Sequence, residues 1–272
     1  RQILLARTAA VWIDGVLERG LAGAVPLRPA LRFSGAAVTG PSPEDLSGLL
    51  GRGRSLVIVG APGAGKTTLL LGLARDALRQ ADADPTRPLP IVLQLASWSG
   101  EALADWVVDE VRDQLGIPRH CTRGWLGDDG LLLLLDGLDR VAPRLRPGCV
   151  DAIREFRRTH LAPVLVTCRD DLDAALRDRL ALDVTVVLDP LDAAQVREGL
   201  ATAGTGHRGL LLALDADDTP RATLRTPLLV DIAARTFHGR AAAELTGSGS
   251  AATLKRELWS SYLRRSSGAE GE

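Results

Sequence analysis

Gly60-Ala61-Pro62-Gly63-Ala64-Gly65-Lys66-Thr67 sets four residues between Gly60 and Gly65 and follows the second glycine with a lysine and a hydroxyl. This spacing suits phosphate chemistry. Glycines let successive backbone N–H groups turn inward around an anion, and a helix starting at once points its positive end the same way. Lys66 would reach the β- and γ-phosphates, the Thr67 hydroxyl would ligate Mg²⁺, and Thr68 continues the phosphate-binding segment.

Phosphoryl transfer also needs a carboxylate for the metal, at the end of a strand beside the loop strand. Leu131–Leu135 runs straight into Asp136, where an uncompensated carboxylate would be costly unless a cation or donors met it. Asp136 is therefore the expected metal partner. Asp139, three residues on, is placed to orient an attacking water as general base; its plainer reading is a surface pair with Arg140 or Arg144. Thr167-Cys168-Arg169 ends another apolar run, and Arg169 is the candidate γ-phosphate sensor, against a solvated pair with Asp170 or Asp171.

Positioning these groups falls to short runs rich in Val, Ile and Leu: 56–59, 91–95, 131–135, 164–167 and 184–188. Near-continuous apolar runs suit parallel strands covered on both faces by helices. Helical patterns over 66–82, 101–115, 149–160 and 170–179 alternate with them, so the expected fold is α/β, a doubly wound five-stranded parallel sheet. An amphipathic helix over 2–21 and a proline-marked connector, with an extended piece near 31–38, form a lead-in. Residues 192–265 read as helices. The expected boundaries are 1–50 for the lead-in, 51–190 for the nucleotide-binding domain, 191–265 for a helical subdomain and 266–272 for a disordered tail.

Acids (34) and bases (33) nearly cancel, which gives no overall field to attract nucleic acid or an anionic membrane. Trp98, Trp106 and Trp125 fall on separate elements rather than along one stacking surface. No direct nucleic-acid partner is expected, and no membrane: the longest aliphatic run, Leu131–Leu135, is far short of the roughly 20 residues a bilayer requires. Cys121, Cys149 and Cys168 show no C-x-x-C spacing and read as reduced thiols of a cytoplasmic protein. Absence of asparagine removes the usual guanine reader and selects ATP or ADP. Absence of methionine suggests a piece of a longer protein. The 33 basic residues include only two lysines, Lys66 and Lys255, so a lysine inside the motif is not a compositional accident.

Together, Gly60–Thr68, Leu133-Leu-Leu-Asp-Gly-Leu-Asp-Arg-Val141, Val166-Thr-Cys-Arg169 and Thr226-Pro-Leu-Leu-Val230 resemble the NACHT domain of bacterial STAND-type P-loop NTPases. Trp12–Leu17 is similar to the segment that precedes the loop in that family. The resemblance implies an ATP/ADP switch: ADP holds a closed monomer, and ATP supports assembly into a homo-oligomer that brings effector domains together. Sensor and effector domains would then lie in flanks outside this chain. It also implies that Pro227 contacts the nucleotide near its base and sugar, although a proline at the first helical position is favourable in its own right. Arg140 stands where the family usually has Glu, which implies slow Mg²⁺-dependent hydrolysis or, alternatively, a binding-only, ADP-locked scaffold. Lys255–Leu263 resembles the start of a winged helix, and none of His120, His160, His207 and His238 can be assigned as the family's second sensor. A small-molecule kinase on the same loop is a third reading, with Arg169, Asp170 and Asp171 as a mimic of its substrate pocket.

Overall fold

A computed structural model describes residues 1–34, 46, 50, 53–240 and 250–266, with side chains through 264 in the last segment. The chain divides into two compact units. The first contains residues 1–20, 31–60 and 66–188; the second contains 21–30, 61–65 and 189–272.

The first unit is built on a sheet of six strands: β1 Leu31–Ser34, β2 Ser55–Gly60, β3 Leu89–Gln94, β4 Leu131–Asp136, β5 Val164–Arg169 and β6 Val184–Leu188, in the spatial order β1-β6-β2-β5-β4-β3. The five expected strands are present and mutually parallel, with helices between them. Every residue of β2 and β4 is buried, the condition under which a strand reads as an unbroken apolar run.

Two features of the sheet depart from the sequence expectation. The extended piece near 31–38 is, over 31–34, a sixth strand that pairs antiparallel with β6, Leu31 opposite Leu188 and Ser34 opposite Thr185. Its remainder lies outside the described residues. The second departure concerns strand order: β4 is not beside β2, because β5 lies between them, with Ile58 opposite Thr167 and Gly60 opposite Arg169. Alternation along the chain predicts parallel pairing but not which crossover fills which slot.

Lys66–Ala83 starts directly after the glycine loop, and Leu103–Leu115 ends at Gly116, whose φ of 61° gives the left-handed cap. Arg119–Gly127 is a helix the periodicity did not single out, and Arg146–Thr159 carries a proline in its first turn. The helix expected from residue 170 begins instead at Ala174, where the Asp173 side chain accepts the Ala175 N–H. The lead-in is helical over Gln2–Thr8 and continues as a wider π-helix over Ala9–Glu18, burying Leu4, Leu5, Trp12, Ile13 and Leu17. Ile3, Val11 and Leu21, apolar residues of the span expected as one amphipathic helix, are exposed.

The second unit is helical: Ala193–Ala203, Arg208–Ala216, Asp218–Thr223, Pro227–Thr236 and Ala251–Ser266. Leu200, Leu210, Leu214, Val230, Leu254 and Leu258 form its core. Asp192 and Gln195 make a reciprocal capping box at the start of the first of these helices. Among the described residues, no helix is long and apolar enough to cross a membrane.

Candidate phosphate and metal site

At the carboxyl end of the sheet, β4 delivers Asp136 into a buried setting, only 2% exposed. A carboxylate so enclosed must be met by donors or a cation. Thr67 supplies one, its Oγ1 lying 3.0 Å from each Asp136 oxygen. Thr167 supplies another: its hydroxyl donates to Asp136 Oδ1 at 2.7 Å and accepts the Gly137 N–H at 2.8 Å. That second bond forms because Gly137, with φ of +81°, turns the chain sharply at the strand end. The interposed β5 is what makes it reachable, since its register sets Thr167 opposite Ile58 of β2 and beside the end of β4.

Thr167 is the main residue of the site that spacing alone does not mark. Its signal is a lone hydroxyl ending the aliphatic Val164-Leu165-Val166 run. Arg146 is a second: its Nε donates to Val141 O at 2.9 Å and its Nη2 to Asp139 O at 2.5 Å, which pins the turn that presents Asp139. No motif position marks it.

Lys66 Nζ donates to the Gly60 carbonyl at 2.8 Å, an oxygen that also accepts the Asp170 N–H. Burial pulls the lysine below its ordinary range, and the negative charges of Asp139 and Asp170 act in the opposite direction. Among the described residues no ion pair joins Asp139 to Arg140 or to Arg144, and Arg140 Nη1 lies 3.6 Å from Asp136 Oδ2 instead. Arg169 takes the solvated pairing, donating to Asp171 at 2.6 Å, while its Nε is buried with no hydrogen-bond partner among the described residues.

The first unit therefore brings together Gly60, Lys66, Thr67, Asp136, Asp139 and Arg169; Thr68, one position on, is exposed. Ala61, Pro62, Gly63, Ala64 and Gly65 belong with the second unit, as does Pro227. Gly63 and Gly65 have φ of 77° and 95°, the left-handed conformations an inward-turning amide loop demands. The Gly63 carbonyl accepts the Leu228 N–H at 3.3 Å, and a Cβ at Gly63 would fall 2.8 Å from Leu228 Cβ, so only glycine fits. Pro227 is the first residue of its helix.

This donor set fits a hard cation shared with phosphate. The Thr67 hydroxyl and the Asp136 carboxylate bring oxygen donors together, and the described residues hold no group of three or more His, Cys, Asp or Glu side chains that would cage a metal unaided. Mg²⁺ characteristically takes one or two protein oxygens and completes its shell with water and phosphate. The glycine loop, the lysine after it and the strand-end carboxylate define a nucleotide-binding P-loop NTPase. The NACHT domain profile matches residues 54–202, more than half the chain, and the chain belongs to the NACHT domain family.

Over 130 residues the chain is 28% identical to the replication factor C large subunit of Sulfolobus acidocaldarius, and over 127 residues 29% identical to that of Sulfurisphaera tokodaii. Each match covers 46% of this chain and 24% of the relative, so the chain spans about a quarter of the length of the curated relatives it matches. Among solved structures, the Aeropyrum pernix ORC1 protein in complex with DNA is similar at a TM-score of 0.45 and 18% identity, over 83% of this chain and 59% of that one. Drosophila ORC bound to DNA gives 0.42 and 18%, over 83% and 54%.

Proposed function

We propose that this chain is the nucleotide-dependent switch module of a larger protein, binding ATP or ADP with Mg²⁺ and hydrolysing ATP slowly. The observation that carries this reading is the buried Asp136 carboxylate held by Thr67 and Thr167 in the unit that also holds Lys66. In this proposal residues 60–68 receive the phosphates, Lys66 neutralises the β- and γ-phosphates, and Thr67 and Asp136 are the metal ligands. A bound Mg²⁺ would supply positive charge to offset the negative charge of the phosphate oxygens during transfer. Asp139 orients the attacking water, Arg169 leaves Asp171 to meet the γ-phosphate, and Pro227 lies near the base and sugar. Residues 51–190 form the nucleotide-binding domain, 1–50 its lead-in and 191–265 the helical region that reports nucleotide state. ATP-dependent homo-oligomerisation is the proposed output. Nucleic acid is left out on the balance of charge.

Equilibrium binding of ADP and ATP with Mg²⁺ tests the reading, with Lys66→Ala as control. Retention of adenine nucleotide by the native chain and a loss of at least ~100-fold in the variant are expected. A native chain that binds no adenine nucleotide with Mg²⁺ sinks the proposal.

The alternative is a binding-only, ADP-locked scaffold, favoured by the Arg140–Asp136 pair in a place where the family resemblance anticipates a carboxylate. Single-turnover ATP hydrolysis separates the two. Phosphate release above the Lys66→Ala background supports the switch, and release at that background supports the scaffold.

A further inference from the structure

Among the described residues of its unit, three polar side chains partner Asp136: Thr67, Thr167 and Arg140. The two hydroxyls stand at hydrogen-bond distance. The guanidinium, at 3.6 Å, is too far for a hydrogen bond yet within ion-pair range. Of the three, only Arg140 carries a charge. Its position follows from Gly137, whose bare Cα lets the arginine stem lie against the turn: a Cβ there would come within 2.9 Å of Arg140 Cδ and 3.2 Å of Cγ. The arginine side chain is 52% exposed, so its guanidinium has open solvent to move into.

We propose that Arg140 is a tethered cation that competes with the divalent metal for Asp136, and so sets how strongly nucleotide binding depends on that metal. The inference rests on the nucleotide-binding reading above. A buried carboxylate favours any positive charge that can reach it, and two cations cannot approach one oxygen without mutual repulsion. Arg140 is charged at every accessible pH, is covalently present at all times and carries a guanidinium more weakly hydrated than an ammonium. A metal must push it aside and then bind in its field. A glutamate at position 140 would have the opposite effect, adding a negative charge where this chain has a positive one.

The test is titration of Mn²⁺, an EPR-visible substitute for Mg²⁺, into the whole chain with and without ADP, the melting temperature reporting folding of each variant. Arg140→Gln is expected to bind Mn²⁺ roughly three- to tenfold tighter than wild type. Arg140→Lys, which keeps the charge, is expected to bind like wild type, and added KCl to narrow the gap between wild type and Arg140→Gln. Unchanged or weaker Mn²⁺ binding by Arg140→Gln overturns the proposal, and so does equal tightening in Arg140→Lys, because charge would then not be the cause. Mn²⁺ binding that survives Asp136→Asn overturns it too. Failure of the underlying reading looks different: ADP then does not bind the wild-type chain, while Mn²⁺ affinities without ADP still decide the role of Arg140.

Discussion

The sheet of the first unit has a carboxylate at each end, and the two are held in contrasting ways. At the amino end of β2, Asp183 accepts from Ser55 N at 2.8 Å and Ser55 Oγ at 2.6 Å, and Arg157 joins it at 3.3 Å with its own side chain only 19% exposed. A backbone bond from the Asp183 N–H to the Ser55 carbonyl closes the same knot. At the carboxyl end, Asp136 is far more deeply buried, yet its arginine stays at ion-pair distance and is half in water. The more exposed carboxylate has its arginine at hydrogen-bond distance, and the buried one does not. Asp183 Oδ2 gathers a backbone N–H, a hydroxyl and a guanidinium, each at hydrogen-bond distance. Asp136 keeps an oxygen facing a partner that can be exchanged.

Substituting each acid gives the largest contrast. Asp136→Asn should remove Mg²⁺-dependent turnover by at least ~100-fold and leave stability within about 1 kcal/mol, since it deletes a buried charge and keeps the shape. Asp183→Ala should do the reverse, costing about 1–3 kcal/mol in urea unfolding with nucleotide affinity unchanged. If Asp136→Asn unfolds the protein as readily as Asp183→Ala while metal dependence survives, the distinction between the two ends collapses.

Thr167 gives an intermediate effect. Thr167→Val strands the Gly137 N–H and removes a donor to Asp136, so turnover should fall about tenfold and stability by about 1–3 kcal/mol, with Thr167→Ser restoring both. Rescue of stability without rescue of turnover would mean that the hydroxyl serves only the fold.

The smallest effect is chemical. Burial pushes the Cys149 and Cys168 thiols up to about 12 from an ordinary 9.0. Because the raised value leaves about a thousandfold less thiolate at any pH well below 9, alkylation at pH 8 should mark the half-buried Cys121 first. Cys168 follows Thr167 in β5, so its slow labelling, followed by mass spectrometry, measures opening of the carboxyl end. Bound nucleotide should slow Cys168 more than Cys149. Equal protection of both would assign the openings to the whole unit.

The residues that were legible in the sequence are those whose chemistry is local. Gly63 and Gly65 announce positive φ by their type, Lys66 and Thr67 follow at fixed spacing, and the Leu131–Leu135 run marks a strand with Asp136 at its exit. The five parallel strands followed from the same local signals. What escaped depends on contacts distant in sequence. The place of β5 between β2 and β4 is decided by how crossovers pack, and with it the role of Thr167, 31 residues from Asp136. β1 is four residues long and half-exposed, too short for alternation to distinguish it from a connector. Arg146 acts on backbone carbonyls, which any sequence presents equally.

Pro227 brings no N–H to its helix, so the first amide there belongs to Leu228, and the acceptor it finds is the carbonyl of Gly63. The helix thus begins on an atom of the glycine loop. In hydrogen-exchange terms the Leu228 amide is protected only while the Gly63 peptide keeps its orientation. One exchange rate in a helix distant in sequence therefore counts the openings of the loop 165 residues before it.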